Sequence, residues 1–413
     1  MKVLMLSWEY PPVVIGGLGR HVHALARHLA TQGHEVVVLC RHEAGTDALT
    51  HPTTDTITEG VRVIMVAEDP THVRFEKDLV AWTLAMGHGL VRAGLTLLRA
   101  WQPDVVHAHD WLVTHPAVAL AEAAEVPLVA TIHATEAGRH AGWLSQPLNQ
   151  QVHSVEWWLA NRADALITCS AAMRDEVSFL FDVDDPITVI HNGIEPGGWR
   201  VSPALVRAAR ERHGSPLVMY FGRLEYEKGV QDLLAAVPRL RRRHPGLRLL
   251  VAGQGVQAAA LVEQTRKLRI RRAVDFVGHL PDRALVACLA AADVVVLPSR
   301  YEPFGIVALE AAAAGAPLVA STAGGLAELV IDGETGLSIT PGDVAGIATA
   351  VTEVLADPAA AARRARAAKS RLAAEFNWES IASATAAVYR SAVVRDRSPL
   401  GRPKIATGNA FHA

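Results

Sequence analysis

Short apolar runs without inside–outside alternation recur along this chain, most of them followed by a helix-patterned segment. The first series is Val3–Ser7, Glu35–Cys40, Val61–Ala67, Asp104–Ala108, Leu128–Ile132, Ala165–Cys169 and Ile187–Ile190. The second is Leu217–Phe221, Leu247–Ala252, Val274–Gly278, Val294–Pro298 and Leu318–Ser321. Continuous apolar runs are the mark of strands buried on both faces of a parallel sheet. Strands separated by single helices form right-handed crossovers, so each series predicts a doubly wound sheet. The fold class is therefore α/β, with two Rossmann-like domains facing across a cleft. The expected limits are residues 1–195 and 217–376, joined by an irregular linker, 196–216. A helix over 377–394 is expected to cross back to the first domain. The Pro- and Gly-containing tail, 395–413, is expected to be disordered. The Thr/Asp-rich stretch before Val61 reads as a loop, and Ala134–Gln150 as an active-site loop.

Composition narrows the function classes. A net charge of −2 argues against a nucleic-acid or anionic-membrane partner. Cys40, Cys169 and Cys288 are far apart and form no C-x-x-C, which predicts reduced thiols and a cytoplasmic setting. The N-terminus has too short an apolar run for a signal peptide. The longest apolar candidate, Leu79–Val91, is interrupted by His88, so no membrane span is expected.

The residues that carry chemistry stand where strands end. Val294–Pro298 leads into Ser-Arg-Tyr-Glu302-Pro-Phe304-Gly305-Ile306-Val-Ala-Leu-Glu310. Glu302 falls on the loop leaving a strand, and the helix that follows presents free N–H groups near Gly305. Carboxylates beside a helix N-terminus suit a polyhydroxylated ligand with negative charge. A glutamate that only complements the helix dipole is the alternative. Gly222-Arg223 to Lys228-Gly229 leaves the first strand of the second domain. There a guanidinium fork and an ammonium either converge on a diphosphate or form a solvated surface pair, with the strand-end position favouring the diphosphate. Gly16-Gly17-Leu18-Gly19 opens the first helix and allows either tight packing or close approach to a phosphate. It is not the dinucleotide fingerprint G-x-G-x-x-G.

Asp110 and His133 each follow a strand of the first domain, and Asn192 follows another. His107 and His109 share a strand face, but no third ligand is near in sequence, so no metal site is expected. Asp182-Val183-Asp184 reads as a turn. Trp143 and Trp157-Trp158 offer either sugar-stacking platforms or core packing, with core packing favoured. Two Rossmann-like domains, a cationic pair, a facing glycine loop and carboxylates for hydroxyls describe a nucleotide-sugar enzyme better than a hydride-transfer enzyme.

These motifs together resemble the retaining family 4 glycosyltransferases of GT-B fold. Glu302 to Glu310 matches their E-x7-E motif. The likeness runs through Tyr10-Pro-Pro, Gly16-Gly17-Leu18-Gly19, Val105 to Asp110-Trp111, Thr131-Ile-His133, Asn192-Gly193, Gly222-Arg223, Lys228-Gly229 and Gly324-Gly325. The opening Ser7 to His23 and Ala134–Arg139 are similar to actinobacterial glycogen-synthase-like α-1,4-glucosyltransferases of glucan and methylglucose lipopolysaccharide biosynthesis.

The resemblance implies roles by position. Gly16 and Gly17 approach the diphosphate, and Arg223 and Lys228 neutralise it as it leaves. Glu302 and the N–H groups of Phe304, Gly305 and Ile306 hold the donor sugar. Glu310 holds the ribose. His133 lies near the reacting carbon, Asp110 lines the acceptor side, and Asn192 lies by the donor. It further implies transfer of α-glucose from UDP- or ADP-glucose to the 4-hydroxyl of an α-glucan or a methylglucose lipopolysaccharide precursor, with no cofactor and no obligatory metal. Rival readings are a glucosyl- or mannosyltransferase acting on a lipid or small molecule, a maltose-1-phosphate synthase, and a silent sugar-nucleotide-binding protein. Val14-Ile15 stand where glycogen synthases proper have a Lys before Gly-Gly, which leaves the donor's nucleotide open.

Overall fold

The computed structural model describes residues 1–14, 16–43, 46, 48–67, 73–75 and 77–396. The first domain holds β1 (Lys2–Leu6), β2 (Glu35–Arg41), β3 (Thr54–Thr58), β4 (Val61–Val66), β5 (Val105–His109), β6 (Leu128–Ile132), β7 (Ala165–Thr168) and β8 (Thr188–Val189). They form one sheet in the order β3-β4-β2-β1-β5-β6-β7-β8. The second domain holds β9 (Leu217–Phe221), β10 (Arg248–Ala252), β11 (Val274–Gly278), β12 (Val294–Leu297), β13 (Leu318–Ser321) and β14 (Leu337–Ile339). Their order is β11-β10-β9-β12-β13-β14. Every pairing is parallel except that of β3 with β4.

Strand order reverses direction twice, between β1 and β5 and between β9 and β12. A crevice opens beyond the carboxyl ends of the strands at such a switch point. The loops leaving β1 and β5 carry Gly16, Gly17 and Asp110. Those leaving β9 and β12 carry Arg223, Lys228 and Glu302. Topology alone thus gathers the motif residues at two crevices.

The C-terminal helix Trp378–Asp396 returns to the first domain. Its Trp378, Ile381, Ala386 and Tyr389 are buried in one cluster with Val3, Met5, Leu25 and Leu29. The Tyr389 hydroxyl pairs with His107 Nδ1 at 2.7 Å, which meets the polar demand of a fully buried tyrosine.

Several local expectations differ from the structure. The Thr/Asp-rich stretch is the edge strand β3. Its residues Asp55 to Thr58 are exposed, Ile57 included, and it pairs antiparallel at the sheet edge, so no buried apolar run marks it. The segment expected to be an irregular linker contains the helix Pro203–His213, which starts on a proline and packs on the helix Asp282–Ala291. The expected loop 134–150 contains a helix turn, Glu136–Arg139, and the next helix starts early, at Pro147, again on a proline. Asp182 caps the helix Ala171–Phe181 in a left-handed conformation (φ 54°), the turn role expected of it. Arg395 belongs to the last helix; residues 397–413 of the expected tail lie outside the described residues.

Candidate active site

Two helix N-termini meet across the cleft. The helix Gly17–Thr31 begins at the switch point of the first sheet. The helix Ile306–Ala314 begins at that of the second, behind Gly305 at φ 103°, a conformation glycine adopts without strain. A Cβ at Gly17 would stand 2.7 Å from Ile306 Cδ1, so only a glycine lets the two ends come this close without displacing Ile306. A helix start leaves its first N–H groups without intrahelical partners, so two such starts side by side make this gap a ready anion site. The Phe304 side chain is turned away and buried against the His191 and Phe376 rings, leaving only its backbone to the gap.

Beside this gap Lys228 Nζ lies 2.9 Å from Glu302 Oε2, with both side chains close to nine-tenths buried. Ser299 Oγ also donates to Glu302 Oε2, at 3.2 Å. Arg223 is different: its guanidinium is half exposed and only 3.5 Å from Glu227, a contact weak enough to give up for a ligand. Glu310 is buried and receives Arg20 Nη1 from the first domain at 3.0 Å. Burial pushes its carboxyl up to about 7, and Arg20 works against that rise.

On the first-domain side Asp110 sits at φ 62° and ψ 173°, a backbone state that costs a non-glycine residue energy. Its Oδ1 accepts the His133 N–H at 2.7 Å, so the strained turn aims the carboxylate at the end of β6. Burial raises its pKa to about 6, opposed by that hydrogen bond. Burial lowers the His133 imidazole to about 3, which makes it a neutral ring at ordinary pH. His133 Nε2 pairs with His109 Nδ1 at 3.2 Å, and the His21 ring lies 4.7 Å away, centroid to centroid. Asn192 is buried beside His21. The fold thus supplies the third ligand that sequence spacing did not: His21, His109 and His133 present nitrogens within 4.8 Å of one another and could hold a metal ion.

Four residues of the site escaped the reading of the sequence. Glu9 Oε2 accepts the Gly16 N–H at 3.0 Å and fixes the glycine loop. Arg20 reaches Glu310. Glu156, pushed up to about 8 by burial, receives the Glu136 N–H on both oxygens, at 2.9 and 3.1 Å. Tyr301 spans the cleft, donating to Glu176 at 2.9 Å. A buried acid just before a glycine loop, as in Ser7-Trp8-Glu9, is the one local signal among them. Two further contacts hold the domains together: Ser170 Oγ donates to the Pro303 carbonyl at 2.6 Å, and Glu328 caps the helix Ala171–Phe181 by accepting from Ala171 and Ala172.

Known proteins bear on this geometry. Residues 15–197 match the model of glycosyltransferase family 4, and residues 202–371 that of glycosyl transferases group 1. The chain is 59% identical to a glycogen synthase of Mycobacterium tuberculosis over 97% of each chain. It is 33% identical to an α-maltose-1-phosphate synthase of Mycolicibacterium smegmatis, over 94% of this chain and 99% of that one. Among solved structures, sucrose-phosphate synthase from Thermosynechococcus elongatus superposes with a TM-score of 0.79 at 26% identity, covering 95% of this chain and 99% of that one. Anabaena HepE in complex with UDP and glucose shares the fold, with a TM-score of 0.75 at 24% identity over 95% and 100% of the two chains. With its two parallel-sheet domains and strand-end site, the chain is an enzyme of the family 4 glycosyltransferases, with the GT-B fold.

Proposed function

We propose that the chain transfers α-glucose, with retention, from a nucleotide diphosphate glucose to the 4-hydroxyl at the end of an α-1,4-glucan. The observation that carries this is the joint placement of Lys228, Glu302 and two helix N-termini around one gap between the domains. A diphosphate there meets the N–H groups at Gly17 and Ile306 and the cations Arg223 and Lys228. As the glycosidic bond lengthens, negative charge grows on the leaving oxygen. Fixed donors already aimed at that position stabilise it more in the transition state than in the ground state.

Glu302 accepts hydrogen bonds from the sugar hydroxyls, and Glu310 from the ribose. The neutral His133 imidazole faces the sugar, where it donates or accepts without adding a charge next to the developing oxocarbenium carbon. Asp110 holds the acceptor side. The departing diphosphate oxygen takes the proton of the incoming 4-hydroxyl, so the new bond forms on the face the leaving group vacates. No metal ion is assigned a step, because the cations and N–H groups balance the leaving charge.

The glycogen synthase at 59% identity favours a polymeric glucan acceptor over the phosphate acceptor suggested by the 33% relative. A methylglucose lipopolysaccharide precursor presents the same 4-hydroxyl and belongs to the same reading. Among the described residues no single helix is long and apolar enough to cross a membrane. The test is incubation with UDP-glucose and ADP-glucose against a series of maltooligosaccharides and maltose or glucose 1-phosphate. The reading expects chains lengthened by one glucose per nucleotide diphosphate released. Glucose appearing only on phosphate would overturn it.

A further inference from the structure

Of the nine tryptophans, Trp143 and Trp157 are the exposed ones, with relative exposures of 77% and 48%. Core packing, the reading the sequence favoured for both, holds only for the neighbour: Trp158 turns inward against His115, with ring centroids 4.9 Å apart. Exposing a large aromatic surface to water is costly, so two such rings carried by one loop and the helix that follows it point to a ligand.

Their surroundings say which kind. Trp143 follows the helix turn Glu136–Arg139, which begins three residues after His133 and packs against Tyr301 of the second domain. Its own N–H donates to the His140 carbonyl at 3.0 Å, and the loop is tied down by Gln150 Nε2 donating to the Leu144 carbonyl at 3.0 Å. On the helix Pro147–Arg162, Gln150, Ser154, Trp157 and Asn161 fall on one stripe at spacings of four, three and four residues, and all four are exposed. From Gln150 to Trp157 the rise is about 10 Å. The stripe therefore starts beside the Trp143 loop, where Gln150 bonds Leu144, and runs along the helix, with Gln150 and Ser154 between the two rings and Asn161 beyond the second. It carries no charged side chain.

We infer that this stripe binds the outer part of an α-glucan acceptor, whose terminal 4-hydroxyl lies at the reaction centre. This rests on the proposed polymer acceptor. The flat apolar face of a glucose ring stacks on an indole, and its rim of hydroxyls needs uncharged donors and acceptors. The rings offer the stacking face, and the oxygens of Gln150, Ser154 and Asn161 offer acceptors to the sugar hydroxyls, their donors being held by the Leu144, Gln150, Trp157 and Phe181 carbonyls; a nucleic acid or an anionic lipid would call for cations, which the stripe lacks. A short acceptor fills only the reaction-proximal part of the cleft, while a long one also reaches Trp143 and Trp157.

The experiment compares the wild-type chain with Trp143→Ala, Trp157→Ala and the double variant, using glycogen and maltotriose as acceptors. Thermal unfolding checks that the variants fold; both rings are exposed, so little change is expected. KM for glycogen should rise about five- to tenfold per tryptophan, the scale of one aromatic stacking contact. The donor KM and the rate with maltotriose should stay within twofold, about 0.4 kcal/mol. Migration of the wild type in glycogen-containing native gels should be retarded, and that of the double variant restored. Equal glycogen kinetics and migration in all four proteins would overturn the inference while leaving the function intact. So would sedimentation showing a wild-type dimer that the double variant splits, since the stripe would then join two copies of the chain. A wild type that elongates no glucan would instead overturn the proposed function, and this inference with it.

Discussion

Lys228 Nζ and Glu302 Oε2 stand 2.9 Å apart at the switch point of the second sheet, on loops from two strands that are neighbours in space but not in sequence. Each side chain is almost withdrawn from water, so each depends on the other for charge balance until a ligand arrives. On the proposed function, donor binding is expected to replace this internal pair by two external ones, Lys228 to diphosphate and Glu302 to sugar hydroxyls.

Removing the ammonium therefore has two separable effects. Lys228→Ala should lower kcat by about 10²–10³-fold, the scale of losing one preorganised charge partner. It should also cost about 3 kcal/mol of stability, because Glu302 is left buried and unpaired. Adding Glu302→Gln should recover most of the stability but none of the activity. Urea unfolding and initial rates on the two variants measure this. Full activity in a folded Lys228→Ala protein would show that the leaving group is stabilised elsewhere.

Glu310 gives a prediction in pH. Burial holds its folded pKa at about 7, above its ordinary value of 4.5. The folded state thus binds the proton more tightly than the unfolded state. Its contribution to stability is fully present below about 4.5 and is lost as pH rises through about 7. Wild type minus Glu310→Gln, followed by denaturant unfolding from pH 4.5 to 8, should fall across that window. A flat difference would mean that Arg20 fully offsets the burial of the carboxylate.

On the proposed function, Asp110 is expected to set the acid limb of catalysis. Burial places its carboxyl at about 6 and His133 at about 3, so of these two only the aspartate changes charge in the working range. kcat/KM should fall below pH about 6 in the wild type. Asp110→Asn should lower the rate and remove that limb. A limb that persists in the variant would assign it to another group.

The gap between Gly17 and Ile306 tests the closed cleft. Gly17→Val places two more carbons where one already reaches Ile306, and should raise the donor KM about tenfold or more by holding the helix ends apart. Pairing it with Ile306→Ala should restore part of the loss. An unchanged donor KM in Gly17→Val would show that the glycine loop does not approach the donor.

The strand runs and the residues at their ends were legible because burial on both faces writes a local pattern. Arg223, Lys228, Glu302, Asp110 and His133 could be placed at strand ends from neighbours alone. What stayed hidden depends on distant partners. Arg20 reads as an ordinary surface arginine until Glu310 faces it across 290 positions of sequence. The three-histidine group needs β5, β6 and the first helix brought together. The exposure of Trp143 and Trp157 follows from which way a helix rolls, and Trp157-Trp158 shows that adjacent identical residues take opposite fates. The edge strand β3 and the helix Pro203–His213 carry too little apolar character to mark them.

Product analysis tests the central claim most directly. The chain, a nucleotide diphosphate glucose labelled with ¹³C at the anomeric carbon, and a maltooligosaccharide are incubated together, and the new linkage is read by proton–carbon NMR. The account predicts an α-configured anomeric carbon bonded to O4 of the former chain end, with one nucleotide diphosphate released per glucose added, and turnover that survives a metal chelator. A β-configured product, a glucose carried on phosphate or lipid alone, or donor binding with no transfer to any glucan would contradict it.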